Sequence, residues 1–194
     1  SGTAPIENIN LFYGNSTNVP IFTYTPDDLG NRIKIVWSGA EVRGRDRKTV
    51  WDGDLHIDGN QILYCKPINF WNVDHPHKLI DQHNLNWSSI TTGGLSGFIL
   101  DLENKTEGTF ILNVKDKNIK VNIDEIGFKP LVWSFGGLDK EIRIYRLPET
   151  QKLERFSFSR PLGNLSKGMT PIFIRVEQED GHLAWTSPIY INKK

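Results

Sequence analysis

What this chain has little of narrows its class before any motif is weighed. It has one cysteine, Cys65, so no disulfide can close within it. Cys65 ends the apolar run Ile62-Leu63-Tyr64-Cys65, where a small buried side chain is the plain reading and a nucleophile the remote one. An excess of one charge is missing too. Lysine plus arginine number 23 and aspartate plus glutamate 23, which argues against the broad basic surface of a non-specific nucleic-acid binder. No apolar run is long enough to cross a bilayer, and the opening S-G-T-A-P-I-E-N lacks the basic-then-apolar order of a secretory leader. A soluble chain without nucleic-acid or membrane partners is expected, with the cytoplasm favoured. Helical periodicity is also absent: no segment keeps it for three turns, and residues 26–30 and 123–127 offer one turn each.

What is present is alternation. Period-two patterns and β-branched or aromatic runs mark strands at 8–13, 33–38, 49–57, 61–68, 97–102, 109–114, 119–123, 131–134, 141–146, 155–159, 172–178 and 183–191. Turn formers separate them, among them Asp116-Lys117-Asn118, set between F-I-L-N-V-K and I-K-V-N-I as a hairpin corner. Closely spaced strands without intervening helices predict an all-β fold. We read it as an antiparallel two-sheet β-sandwich, a single elaborated domain without substantial helix. Residues 1–4 read as a tag remnant or linker, 5–194 as the domain, and 148–154 as its long loop.

Three clusters invite a chemical reading. In Glu41-Val42-Arg43-Gly44-Arg45-Asp46-Arg47-Lys48, extended backbone puts Arg43, Arg45 and Arg47 on one face, where forked donors suit a phosphate, a carboxylate or a partner. The plainer reading pairs them with Glu41, Asp46, Asp52 and Asp54, tying a connection onto the sheet. Asp74-His75-Pro76-His77 has H-x-H spacing, which makes Asp74, His75 and His77 candidate ligands for a divalent metal. The proline between the histidines and the preceding N-F-W-N-V fit an exposed loop better. Near the C-terminus, Glu177, Glu179, Asp180 and His182 suggest an acid/base or metal cluster. Here too a simpler account exists: Asp180-Gly181 is a type I′ signal between I-F-I-R-V-E-Q and L-A-W-T-S, and His182 then sits half exposed beside the turn. Pro188 removes a donor late in the return strand, as at a sheet edge or bulge.

No Ser-His-Asp set, nucleophile elbow, zinc quartet or cofactor fingerprint is visible. The glycine-rich T-T-G-G-L-S-G lacks the phosphate-loop pattern. Six tryptophans are most simply core residues. Were two or more tryptophan or tyrosine rings exposed in a coplanar row, they would stack on sugars, so a carbohydrate-binding module stands as one alternative and a small metal-binding enzyme as another.

Longer strings carry a family likeness. I-V-W-S-G-A-E-V-R-G-R-D-R-K-T-V-W-D-G-D-L, N-F-W-N-V-D, W-S-S-I-T-T-G-G-L-S-G-F, F-G-G-L-D-K-E-I-R-I-Y-R-L-P and I-R-V-E-Q-E-D-G-H-L-A-W-T-S-P-I-Y-I together resemble the C-terminal region of bacterial PHP-type (polymerase and histidinol phosphatase) metallohydrolase-like proteins. The similarity runs from about residue 6 to residue 191, and R-G-R with W-D-G and the D-G-H-L-A-W-T-S-P-I ending are its most specific parts. In that family an N-terminal metal-binding α/β barrel carries the phosphoesterase chemistry and a β-rich region follows. The resemblance implies a non-catalytic accessory domain without a cofactor of its own, a divalent metal in the barrel, and the barrel or a second copy of the chain as partner. No part of the sequence matches the barrel. His75 and His77 are therefore not equated with the barrel's H-x-H, and no catalytic residue is carried over.

Overall fold

Alternating apolar side chains favour extended backbone, and extended backbone must pair its N–H and C=O groups with a neighbouring strand. A computed structural model of the chain describes residues 4–13, 17–44, 47–149, 157–159, 161, 165 and 167–194. It is all-β, and every strand pair is antiparallel. The helical content of the described residues is two single 3-10 turns, Pro26–Asp28 and Ile123–Glu125, within the two stretches that carry one turn of helical pattern.

In chain order the first strands are β1 (Ile6–Tyr13), β2 (Thr17–Pro20), β3 (Leu29–Ala40), β4 (Thr49–Val50), β5 (Gly53–Asp58) and β6 (Ile62–Ile68). Next come β7 (His77–Leu79), β8 (Asn84–Trp87), β9 (Ile90–Thr91), β10 (Ser96–Leu102), β11 (Thr109–Val114) and β12 (Lys117–Asn122). The last are β13 (Leu131–Ser134), β14 (Leu138–Pro148), β15 (Gly168–Gln178), β16 (Leu183–Trp185) and β17 (Ile189–Lys193). The chain divides into a central unit, Thr25–Glu149, and a terminal unit made from both ends, Ser1–Tyr24 with Thr150–Lys194.

The central unit is a sandwich. One sheet has the order β13-β14-β3-β10-β6 and the other β12-β11-β5-β8-β7; neither closes into a barrel. Their inner faces share one core, in which Ile33, Ile35, Trp37, Phe98 and Leu100 meet Leu55, Ile57, Trp87, Phe110 and Leu112. Trp37 and Trp87, from opposite sheets, stack at 5.2 Å with their planes 13° apart. Each such side chain contributes about 1.5–3 kcal/mol by leaving water. Val36, Ile68, Ile99 and Leu147 form a second cluster on the other face of the first sheet. That face explains why I-V-W and F-I-L are apolar at consecutive positions: side chains on both sides of these strands are buried.

A buried arginine fastens one end of this sandwich. Arg146 on β14 is 3% exposed. Its Nε donates to Ile126 O (2.9 Å), Nη1 to Gly30 O (2.8 Å) and Lys105 O (2.6 Å), and Nη2 to Ile123 O (2.6 Å). The guanidinium so ties a strand, a loop and a 3-10 turn together, and burial pulls its pKa down from the ordinary arginine value.

In the terminal unit β1 lies between β15 and β2, and β15 carries β16 and β17 on its other edge. Ile9, Leu11 and Ile172 are buried on one face. The expected strand at 183–191 is interrupted: Thr186 takes over the pairing by donating N–H to Ile174 O and accepting the Ile174 N–H, and Pro188 falls in the gap. Pro188 thus lies along the edge of the sheet.

Other differences have local causes. The run 49–57 breaks because Trp51 turns into the core, its N–H bonded to Ser89 O and its indole to Thr91 Oγ1. The hairpin corner expected at Asp116-Lys117-Asn118 falls one residue earlier, on Lys115-Asp116, with Lys115 at φ 54. Alternation did not mark β2, β7, β8 or β9. Residues 157–159 belong to no strand; 155–156, and 150–154 of the long loop, lie outside the described residues.

Candidate functional site

The arginine cluster is not an extended row. Residues 41–44 bend after β3, with Gly44 at φ 110, and Arg45 lies outside the described residues. Among the described residues, Glu41, Asp52 and Asp54 pair elsewhere than with Arg43 or Arg47, and Asp46 lies outside the described residues. Glu41 pairs with Lys140 (2.6 Å) and Lys115 (3.5 Å); Asp52 accepts the Ser89 N–H and Asp54 the Asn113 side-chain amide. The hydrogen bond from Lys140, with further attraction from Lys115, holds the Glu41 carboxyl below its usual range. Arg43 and Arg47 border a cavity of about 340 Å³ together with Gly39, Val42, Gly93 and Asp139. What the structure brings together here is two arginines across a shallow hollow, with one carboxylate on its rim.

The two histidines of H-x-H face different neighbours. His75 Nδ1 lies 2.8 Å from Ser88 Oγ. His77 starts β7, and its ring packs against Phe70 (5.1 Å) and Phe98 (5.7 Å). Asp74 is exposed, its N–H given to the side chain of Asn72 in a local turn. Among the described residues no group of three or more histidine, cysteine, aspartate or glutamate side chains is placed to hold a metal ion.

At the C-terminal hairpin the turn differs from the one expected. Gly181 has φ 83, but Asp180 is not in the left-handed region. Gly181 N–H bonds to Gln178 O, and Gln178 N–H to His182 O. That is a three-residue loop ending in a glycine bulge, not a two-residue type I′ turn. Asp180 Oδ1 accepts the His182 N–H and sits 3.1 Å from its Nδ1, whereas Glu179 is 1% exposed and its N–H bonds to Pro5 O. Asp180 and His182 come together; Glu179 is turned inward.

A surface not singled out in the sequence is the open face of the terminal sheet. Cross-strand register puts Phe12 beside Phe173, and Arg175 beside Trp185. The two phenylalanine rings stack at 4.9 Å with a 5° tilt, and Trp185 leans on both at 6.0 and 5.9 Å. The Arg175 guanidinium lies 5.6 Å from the Phe12 ring and 5.5 Å from Trp185, inside cation–π range. Its Nε is buried and has no hydrogen-bond partner among the described residues. Trp185 is 56% exposed, and Met169, Leu183 and Tyr190 on the same face are exposed as well. The signal for it was Phe173 and Arg175 standing at every second position, out of phase with Ile172, Ile174 and Val176.

Comparison of the chain with protein-family models, curated proteins and solved structures finds no match. The PHP resemblance therefore rests on the quoted strings alone.

The tryptophans divide by environment. Trp37, Trp51 and Trp87 are buried and Trp133 packs against the same core, while Trp71 is 79% exposed on the loop after β6. Trp71 borders a hollow of about 250 Å³ with Asn72, His75 and Thr92. The exposed tryptophans, Trp71 and Trp185, belong to different units and form no platform within either one.

Proposed function

We propose that this chain is an accessory recognition domain, docking onto a protein partner through the aromatic–arginine face of its terminal sheet and leaving bond-making chemistry to that partner. The observation that carries the reading is the Phe12–Phe173–Trp185 cluster with Arg175 lodged in it. Contiguous exposed apolar groups on a sheet face mark an interaction surface. Tryptophan, tyrosine and arginine are the residues that dominate binding energy in such interfaces. Arg175 adds a guanidinium to this cluster, whose forked donors suit a carbonyl or carboxylate of the partner. Phe12 and Phe173 press face to face, so they turn ring edges outward; this suits an apolar protein pocket better than the flat face of a sugar.

The PHP resemblance suggests the occupant: the N-terminal metal-binding barrel of the same parent polypeptide, which would hold the divalent metal. The native reading frame is the first test. A frame continuing upstream into an H-x-H-bearing barrel supports the proposal, and one encoding these residues alone overturns it. In the intact polypeptide, amides of β15 and β16 are expected to exchange more slowly than in this chain by itself, and Trp185→Ala should abolish the difference. Equal exchange rates would sink the reading. Self-association of this chain that Trp185→Ala removes would instead identify a second copy as the occupant.

A further inference from the structure

We infer that the hollow beside Trp71 in the central unit is a binding site for one neutral sugar ring. This does not depend on the docking face, which belongs to the other unit.

An indole 79% exposed is unusual, since tryptophan normally buries most of its area. Trp71 is also absent from the aromatic pairings that fill the adjoining core, where Phe70 takes Trp37, His77 and Phe98. The loop that presents it is fixed. Asn69, at φ 57, donates its side-chain amide to Leu95 O (2.8 Å). Asn72 then accepts the Asp74 N–H on its Oδ1 (2.9 Å), and its carbonyl accepts the His75 N–H (3.1 Å). Trp71 is held outward by these bonds, so stacking on it orders little that is not already ordered.

The lining settles the ligand class. With the indole, Asn72, His75 and Thr92 are among the polar residues of the lining, and Phe70 and Ile90 are its other apolar ones. The Asn72 oxygen is used within the loop, which leaves its NH₂ as a donor. The Ser88 hydroxyl engages His75 Nδ1, which leaves Nε2. With the Thr92 hydroxyl, these make a rim of hydrogen-bonding groups around an aromatic face. A pyranose has the complementary form: one apolar C–H face and a rim of hydroxyls. Among the described residues no lysine or arginine lines the hollow, which disfavours a phosphate or carboxylate ligand. At about 250 Å³ it falls below the ~300–1,000 Å³ of sites that bury drug-sized ligands, and so admits one ring.

Free monosaccharides and the terminal residue of a glycan share this chemistry. Saturation-transfer NMR with glucose, galactose, mannose and N-acetylglucosamine, each also as the terminal residue of an oligosaccharide, separates the two sources. A site of this size predicts a dissociation constant on the order of a millimolar. Trp71→Ala, at an exposed position, should weaken binding about tenfold while leaving the melting temperature unchanged. Thr92→Val and His75→Phe should each weaken it further, and Val73→Ala, at the exposed neighbour, should not. Transfer only from oligosaccharides assigns the ligand to glycan ends. Absence of transfer from every sugar overturns the inference, as does transfer that persists undiminished in Trp71→Ala.

Discussion

Replacing Arg146 by methionine tests the packing logic most directly. The substitution keeps an unbranched stem but ends short of the guanidinium and deletes four hydrogen bonds to carbonyls of Ile126, Gly30, Lys105 and Ile123. A hydrogen bond with a charged partner contributes about 1.5–3 kcal/mol net, so the four are worth roughly 6–12 kcal/mol before any offset. The offset is real, because methionine also removes a cation whose burial costs several kcal/mol. Water reaching the vacated end would recover part of the rest. Each carbonyl left unsatisfied costs about 1–3 kcal/mol, so after these offsets a net loss of roughly 3–5 kcal/mol is expected. For a unit of this size that lowers the melting temperature by at least about 10 °C. Thermal unfolding followed by tryptophan fluorescence reads it, since Trp37, Trp51 and Trp87 lie in the same core. Arg146→Lys should fall well short of wild type, because an ammonium cannot reproduce the planar fork that reaches four separate carbonyls. Were Arg146→Met to melt within about 3 °C of wild type, the guanidinium would be a passenger and the reasoning wrong.

Three further outcomes follow from the geometry. Burial pushes the Cys65 thiol up to about 12, so at pH 8 roughly one molecule in ten thousand carries the thiolate. Alkylation should be slow in the native protein and fast in urea; and because folding favours the neutral thiol, stability should be intact below the free-thiol range and erode as pH climbs from there toward 12. Gly39 has φ 94, and a Cβ there would lie 2.2 Å from Asp139 O, so Gly39→Ala should cost more than about 2 kcal/mol in urea denaturation. For Glu41 the sign is reversed: its lowered pKa contributes stability that is present above the ordinary value of 4.5 and lost as pH falls through the lowered one. The gap in melting temperature between wild type and Glu41→Gln should therefore narrow in acid, and a gap that stays constant with pH would refute the pairing with Lys140.

Much of the fold was legible because period two is a local signal. F-I-L-N-V-K and I-K-V-N-I pair as expected, with Phe110 opposite Val121 and Leu112 opposite Ile119. The corner between them moved by one residue because Lys115 accepts a positive φ that composition assigns to asparagine or glycine. Strands β7 and β8 escaped notice because H-K-L and N-L-N-W are short and polar, and cross-strand partners rather than propensity hold them extended. Sites were harder to read. Charge spacing in E-V-R-G-R-D-R-K suggested arginine–carboxylate pairs, yet Glu41 went to Lys140 and Lys115, one a hundred residues away in sequence. The exposure of Trp71 and Trp185 depends on which neighbours cover them, and only the assembled sheets decide that.

The pairing of β1 with β15 sets a timetable for synthesis. Residues 6–13 leave the ribosome before the central unit, yet the strand that completes them begins at residue 168. At about 5–20 residues per second the wait is roughly ten to thirty seconds. Throughout it, Leu11 and Phe12 have only β2 to pair with, and the edge that β15 will cover stays open. A cell making this protein must shield that segment, or rely on the polarity of its asparagines, until translation reaches the far end.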